Sequence, residues 1–117
     1  MLDQQLTIRR GAVFHAHAWP LVDVTGEPLR SADGLAVTAK IRKWRGAEQV
    51  LHDLATSVVL LALPGQYDDE PVAAAQIDAM TPEQTAALTF DDGVYDVLVG
   101  GDPVVGGLVR APWVVSR

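Results

Sequence analysis

Leu35-Ala36-Val37-Thr38-Ala39-Lys40-Ile41-Arg42-Lys43-Trp44 is the stretch that decides the fold. Leu35, Val37, Ala39 and Ile41 share one parity, and Thr38, Lys40 and Arg42 share the other. Apolar alternating with polar at period two marks a strand with one face on a core and one toward solvent. Asp33-Gly34 before it and Gly46 after it are turn signals. Trp44 takes the parity of the outward face, which leaves two placements open. It is either an exposed anchor for a contact or a ring folded over the edge of the core where the strand twists.

Working outward, the same short-run rhythm continues. Val50 to Leu54 reads as a short strand, and Ser57 to Leu63 as a buried strand, being a continuous apolar run too short for a helix. Val72 to Ala79 is rich in alanine, which favours helix. Pro71 and Pro82 bracket it, and its neighbours are strands, so strand is expected. Thr81-Pro82-Glu83-Gln84 forms a capping box with Pro at the first helical position, predicting one short helix over about residues 82–88. Asp92-Gly93 turns into an alternating strand from Val94 to Val99. Gly100 to Pro103 reads as a loop, and Leu108 to Val115 as the last strand, with Pro112 marking an edge or bulge. Toward the N-terminus, Leu6-Thr7-Ile8, a break at Arg9-Arg10-Gly11, and Val13 to Trp19 read as one interrupted edge strand or two short ones, closed by Pro20. Asp23 to Pro28 is turn chemistry. The sum is seven or eight strands and one short helix, an all-β sandwich or barrel in a single domain, 1–117.

Composition narrows the function. A chain of 117 residues, 49% hydrophobic and 21% charged, can hold one core without staples. With no Cys there are no disulfides and no thiolate metal sites. No apolar run reaches the ~20 residues that span a bilayer, so no membrane insertion is expected. Arg9 and Arg10 precede no long apolar stretch, so no secretory leader is expected either. Fifteen acidic against nine basic residues, net −6, argue against a nucleic-acid partner.

No motif for chemistry stands out. His15 and His17 share a strand face and could pair on Zn²⁺ or Cu²⁺, but further ligands such as His52 or Asp53 would have to converge by fold alone. Two surface histidines is the simpler expectation. Asp68-Asp69-Glu70 and Asp91-Asp92 lack the spacing of a calcium loop and read as solvated turns. Ser31, Ser57 and Ser116 sit in no nucleophile elbow, and Gly100 to Gly107 lacks a P-loop lysine. No enzyme, cofactor or metal is expected. Tyr95 is a candidate tyrosine corner, and Trp113 reads as core. Lys40, Arg42, Lys43 and Arg45 form a basic patch against the acidic loops.

Several segments, in order, resemble small phage virion proteins with an immunoglobulin-like domain, related to the N-terminal domain of phage baseplate upper proteins. They are L-T-I-R-R-G with Phe14, the turn D-V-T-G-E-P, V-T-A-K-I-R-K, T-P-E-Q-T-A-A-L, G-V-Y-D-V-L-V, and the closing run from Val109 to Ser116. Ala12 stands where the family often has Asp, and Ser57 to Leu63 is apolar where it tends to a longer polar region. The resemblance implies an immunoglobulin-like sandwich serving as a non-enzymatic minor tail, tail-tip or baseplate component. It would be assembled in the host bacterial cytoplasm, in several symmetric copies, against other virion proteins. A virion-exposed module for host-surface glycan, with Trp44, Tyr67 and Asp68 to Glu70 as its contact, is a second expectation. A capsid decoration or head–tail connector protein is a third. The expected interface anchors are Arg10, Trp19, Arg42 and Trp44, since Arg and aromatic side chains dominate interface energetics.

Overall fold

The computed structural model describes residues 2–23, 25–31, 34–62 and 71–113. Asp33, Pro64-Gly65, Tyr67 to Glu70 and Val114 to Ser116, for which the sequence carries expectations, lie outside these residues.

The alternating stretch forms β4 as its pattern dictates. Strand β4 spans Val37–Arg42, with Ala39 and Ile41 buried and Thr38 exposed. It lies inside the larger of two sheets that pack as a compact sandwich. In chain order the elements are β1 (Leu2–Asp3), β2 (Leu6–Thr7), β3 (His17–Pro20), β4, β5 (Val50–Leu54), β6 (Thr56–Leu61), β7 (Val72–Ile77), α1 (Pro82–Ala86), β8 (Asp92–Val99) and β9 (Asp102–Arg110). The large sheet runs β1-β9-β8-β4-β5, with β2 also on β9, and the small sheet runs β3-β7-β6. Side chains from both sheets share one core, including Leu6, Ile8, Ile41, Tyr95, Val97 and Val105 from the first and Ala75 and Ile77 from the second.

Residues 2–10 are one line of chain beside β9. Leu2 lies opposite Val105, Leu6 opposite Val109 and Arg10 opposite Trp113, all parallel and all at the same offset. Leu6 and Ile8 point inward and are buried, and Arg10 follows at the same parity. At Gly11, with φ 87°, the chain leaves this sheet, and it enters the other at His17.

Among the described residues, nine strand segments therefore replace the seven or eight expected, because β1 and β2 are separate pieces of one edge. The second run begins as a strand only at His17, not Val13. The last strand starts at Asp102 rather than Leu108, because the expected loop is a tight hairpin. Val99 pairs with Asp102 across Gly100 and Gly101, whose φ values of 60° and 89° give the type I′ geometry that glycine adopts at least cost. The helix carries the full capping box and ends at Ala86, two residues earlier than expected.

The two apolar runs on the small sheet exchange roles. Strand β7, the alanine-rich one, is central and almost wholly buried, with Val72 to Ala75 and Ile77 fully inaccessible. Small side chains let this middle strand sit between its neighbours. Strand β6 was expected to be buried, yet it is an edge strand of intermediate exposure, and Leu60 is 54% exposed.

Tyr95 supports the fold, though not as a tyrosine corner. Its hydroxyl donates to the Gln4 carbonyl at 2.7 Å, reaching from β8 across β9 to the N-terminal segment. Burial, and secondarily the Asp3 carboxylate, push this hydroxyl from the ordinary 10.0 up to about 12. The folded state thus holds the neutral phenol. Its contribution is complete below pH 10, declines as the unfolded chain ionises above that, and is lost as pH rises through 12. The melting temperature of the wild type should fall across this window more steeply than that of Tyr95→Phe. Parallel curves for the two proteins would contradict the assignment.

Candidate protein-docking surface

Strand register gathers several of the named residues at one end of the large sheet. Arg42 pairs with Val94, Asp92 with Arg110, and Arg10 with Trp113. The C-terminal end of β4, the start of β8 and the end of β9 therefore lie side by side. Trp44 belongs to the turn that β4 feeds. The Trp44 carbonyl accepts from the Ala47 N–H at 3.1 Å, and Gly46, at φ 84°, supplies the left-handed residue this turn needs. The turn directs Trp44 outward at 61% exposure, which decides between its two placements. Trp113, read from sequence as core, is 56% exposed at the same end.

Three of the cations here are free of partners. Among the described residues, Arg42, Lys43 and Arg45 form no ion pair, although Glu48 lies in the same turn, whereas Arg110 faces Asp92 in register on β8. Lys40 is different, since Asp53 and Asp96 flank it in register on β5 and β8 and offset its charge. The basic patch is thus centred on the turn rather than on the strand. Lys43, Asp92, Val94, Arg110 and the 56%-exposed Leu108 line a shallow cleft beside it.

Arg10 and Trp19 serve the interior. Arg10 is buried. Its Nε donates to the Ala111 carbonyl at 2.6 Å, its Nη2 meets Asp91 Oδ1 at 2.5 Å, and its guanidinium lies 4.7 Å from the Trp113 ring centroid. It clamps the N-terminal segment onto the last strand. Trp19 is half-buried on β3, away from the Arg42 and Trp44 end, and its Nε1 donates to Gln4 Oε1 at 2.9 Å. Its ring stacks with His17, which in turn stacks with Phe14. The inward parity of Leu6, Ile8 and Arg10 is the sequence signal that would have placed Arg10 inside.

The remaining chemical candidates do not assemble. His17 lies in the aromatic stack while His15 is exposed, and no three metal-ligating side chains converge among the described residues. Asp91 is an exposed partner to Arg10. Tyr67 and Asp68 to Glu70, which the glycan reading requires, lie outside the described residues. No helix is long and apolar enough to cross a membrane.

No family model matches the chain, and neither the curated proteins nor the solved structures hold a match to it.

Three substitutions separate the exposed anchor from the internal one and its partner. Trp44→Ala should leave stability within about 0.5 kcal/mol of wild type, as an exposed side chain. Arg10→Ala should cost about 2–3 kcal/mol by removing buried charged hydrogen bonds. Asp91→Asn should cost under about 1 kcal/mol, because its carboxylate is open to water. Urea denaturation of the three proteins checks the order. Equal losses at Trp44 and Arg10 would contradict it.

Proposed function

We propose that the chain is a non-enzymatic structural protein of a phage virion, a tail-tip or baseplate component that acts by protein–protein docking. The observation that carries this reading is the free end of the large sheet. Exposed Trp44 stands there with Arg42, Lys43 and Arg45, exposed Trp113 lies at the same end of the sheet, and Asp91 and Asp92 border them, on a chain whose net charge is −6. Exposed tryptophan and arginine are the side chains that make interface hot spots, and a cationic patch is complementary to an acidic surface on its neighbour. The partner is a virion protein with an acidic, partly apolar patch, met in several copies around the tail axis. The protein assembles in the host cytoplasm and resides in the tail.

The strand order supports the immunoglobulin-like part of the reading. Taking β3 to β9 as strands B to G with C′ included, the large sheet runs G-F-C-C′ and the small sheet B-E-D, as in variable-type immunoglobulin domains. The first strand lies parallel to the last, and the short capped helix falls between E and F. There is no inter-sheet disulfide, since the chain has no Cys. The Tyr95 bond to Gln4 takes the place of a tyrosine corner.

Immunogold labelling of virions, with antibody against this chain, tests the assignment. Label confined to the tail tip or baseplate is the expected result. Label over the head would favour the decoration reading, and unlabelled virions would overturn the virion assignment.

A further inference from the structure

Sheet edges present unpaired backbone groups, and proteins blunt them with charges, proline, bulges or very short strands. Three of the four edges here are blunted in these ways. The N-terminal edge is split into β1 and β2 and carries Asp3 and Arg9. The opposite edge of the large sheet, β5, carries His52 and Asp53 and is bulged against β4 between Ile41 and Arg42. Strand β3 is four residues long and ends in Pro20.

Strand β6 has none of these devices. Thr56-Ser57-Val58-Val59-Leu60-Leu61 contains no charge and no proline. Its antiparallel register with β7 runs from Thr56 opposite Ile77 to Leu61 opposite Val72 without a shift. On its other side no described strand pairs with it. Leu60 is 54% exposed.

We propose that β6 pairs antiparallel with β6 of a second copy about a two-fold axis, joining two three-stranded sheets into one of six. The absence of charge selects the occupant. Two copies at −6 repel overall, and an edge bearing Asp or Arg would add local like-charge opposition at a two-fold axis. Strand β6 is the edge on which a copy meets no such opposition. An acidic or basic partner, by contrast, gains nothing from an uncharged strand. A two-fold pairing also consumes both open edges and closes, so an apolar edge does not propagate into fibres. With the axis at Val59, Val59 lies across from Val59 of the second copy and Val58 across from its Leu60, so apolar side chains meet on both faces of the joined sheet.

The inference stands apart from the virion reading, and salt separates the two. Pairing through β6 strengthens with added salt, as the net charge on both copies is screened, whereas docking through the cationic end weakens. The test is sedimentation velocity on the full chain over a concentration series. A monomer–dimer equilibrium that tightens with salt is expected, with Leu60→Lys weakening it at least about tenfold while circular dichroism and melting temperature stay unchanged. A monomer at every concentration, or a dimer indifferent to Leu60→Lys, would overturn the proposal. Should the variant unfold, amide hydrogen exchange of wild-type Thr56 to Leu61 decides the matter. Protection that rises with protein concentration supports the pairing, and concentration-independent exchange overturns it.

Discussion

The structure hangs on Gln4. Its N–H donates to the Gly106 carbonyl at 2.9 Å, its carbonyl accepts from Tyr95, and its side-chain oxygen accepts from Trp19. One residue thereby ties the N-terminal segment to β9, to β8 in the same sheet, and to β3 in the opposite sheet. The close approach this requires is possible because residue 107 is glycine. A Cβ there would stand 2.6 Å from the Gln4 carbonyl oxygen, and the φ of 151° is one that other residues seldom adopt. Leu6 and Ile8 then fall into the core, and Arg10 closes the line onto Ala111.

From that constraint follows the division between inside and outside. Among the described residues, no buried side-chain nitrogen or oxygen lacks a hydrogen-bond partner. Arg10, Trp19, Tyr95 and Thr85 are all engaged in holding elements together; the Thr85 hydroxyl, for example, donates to the Ala12 carbonyl and accepts from the Gly11 N–H. Polar groups so engaged rigidify a fold and leave little for chemistry. What remains unengaged lies on the surface. It comprises the cationic turn with Trp44 at one end of the large sheet and the uncharged edge of the small one.

Where a local pattern carried the information, the sequence was readable. The bounds of β5, the inward face of β4 and the capping box of α1 all follow from neighbouring residues. Misreadings arose where long-range pairing decides the outcome. An apolar run reads as buried, yet β6 lies at an edge because β7, with its small side chains, takes the centre of the sheet. Residue type alone makes Arg10 an interface anchor, whereas its alternation with Leu6 and Ile8 points inward, where it is buried. Trp113 was read as core from its strand, but that strand ends at Arg110 and only an isolated bridge to Arg10 holds the ring's backbone in place. Trp44 was undecidable from parity alone, because a turn rather than the strand sets its direction.

The proposed docking role rests on the Trp44 turn, and the chain offers a direct probe of it. Lys40 and Lys43 are its two lysines, and Lys43 adjoins Trp44. Zero-length carbodiimide coupling on intact virions joins a lysine to a carboxylate in contact with it, and mass spectrometry identifies the pair. If the proposed virion role holds, a bond forms between Lys43 and an aspartate or glutamate of a neighbouring tail protein, and it is lost in Trp44→Ala particles. Lys43 left uncoupled in assembled virions, while Trp44 stays reactive to solvent-borne oxidants, would contradict it.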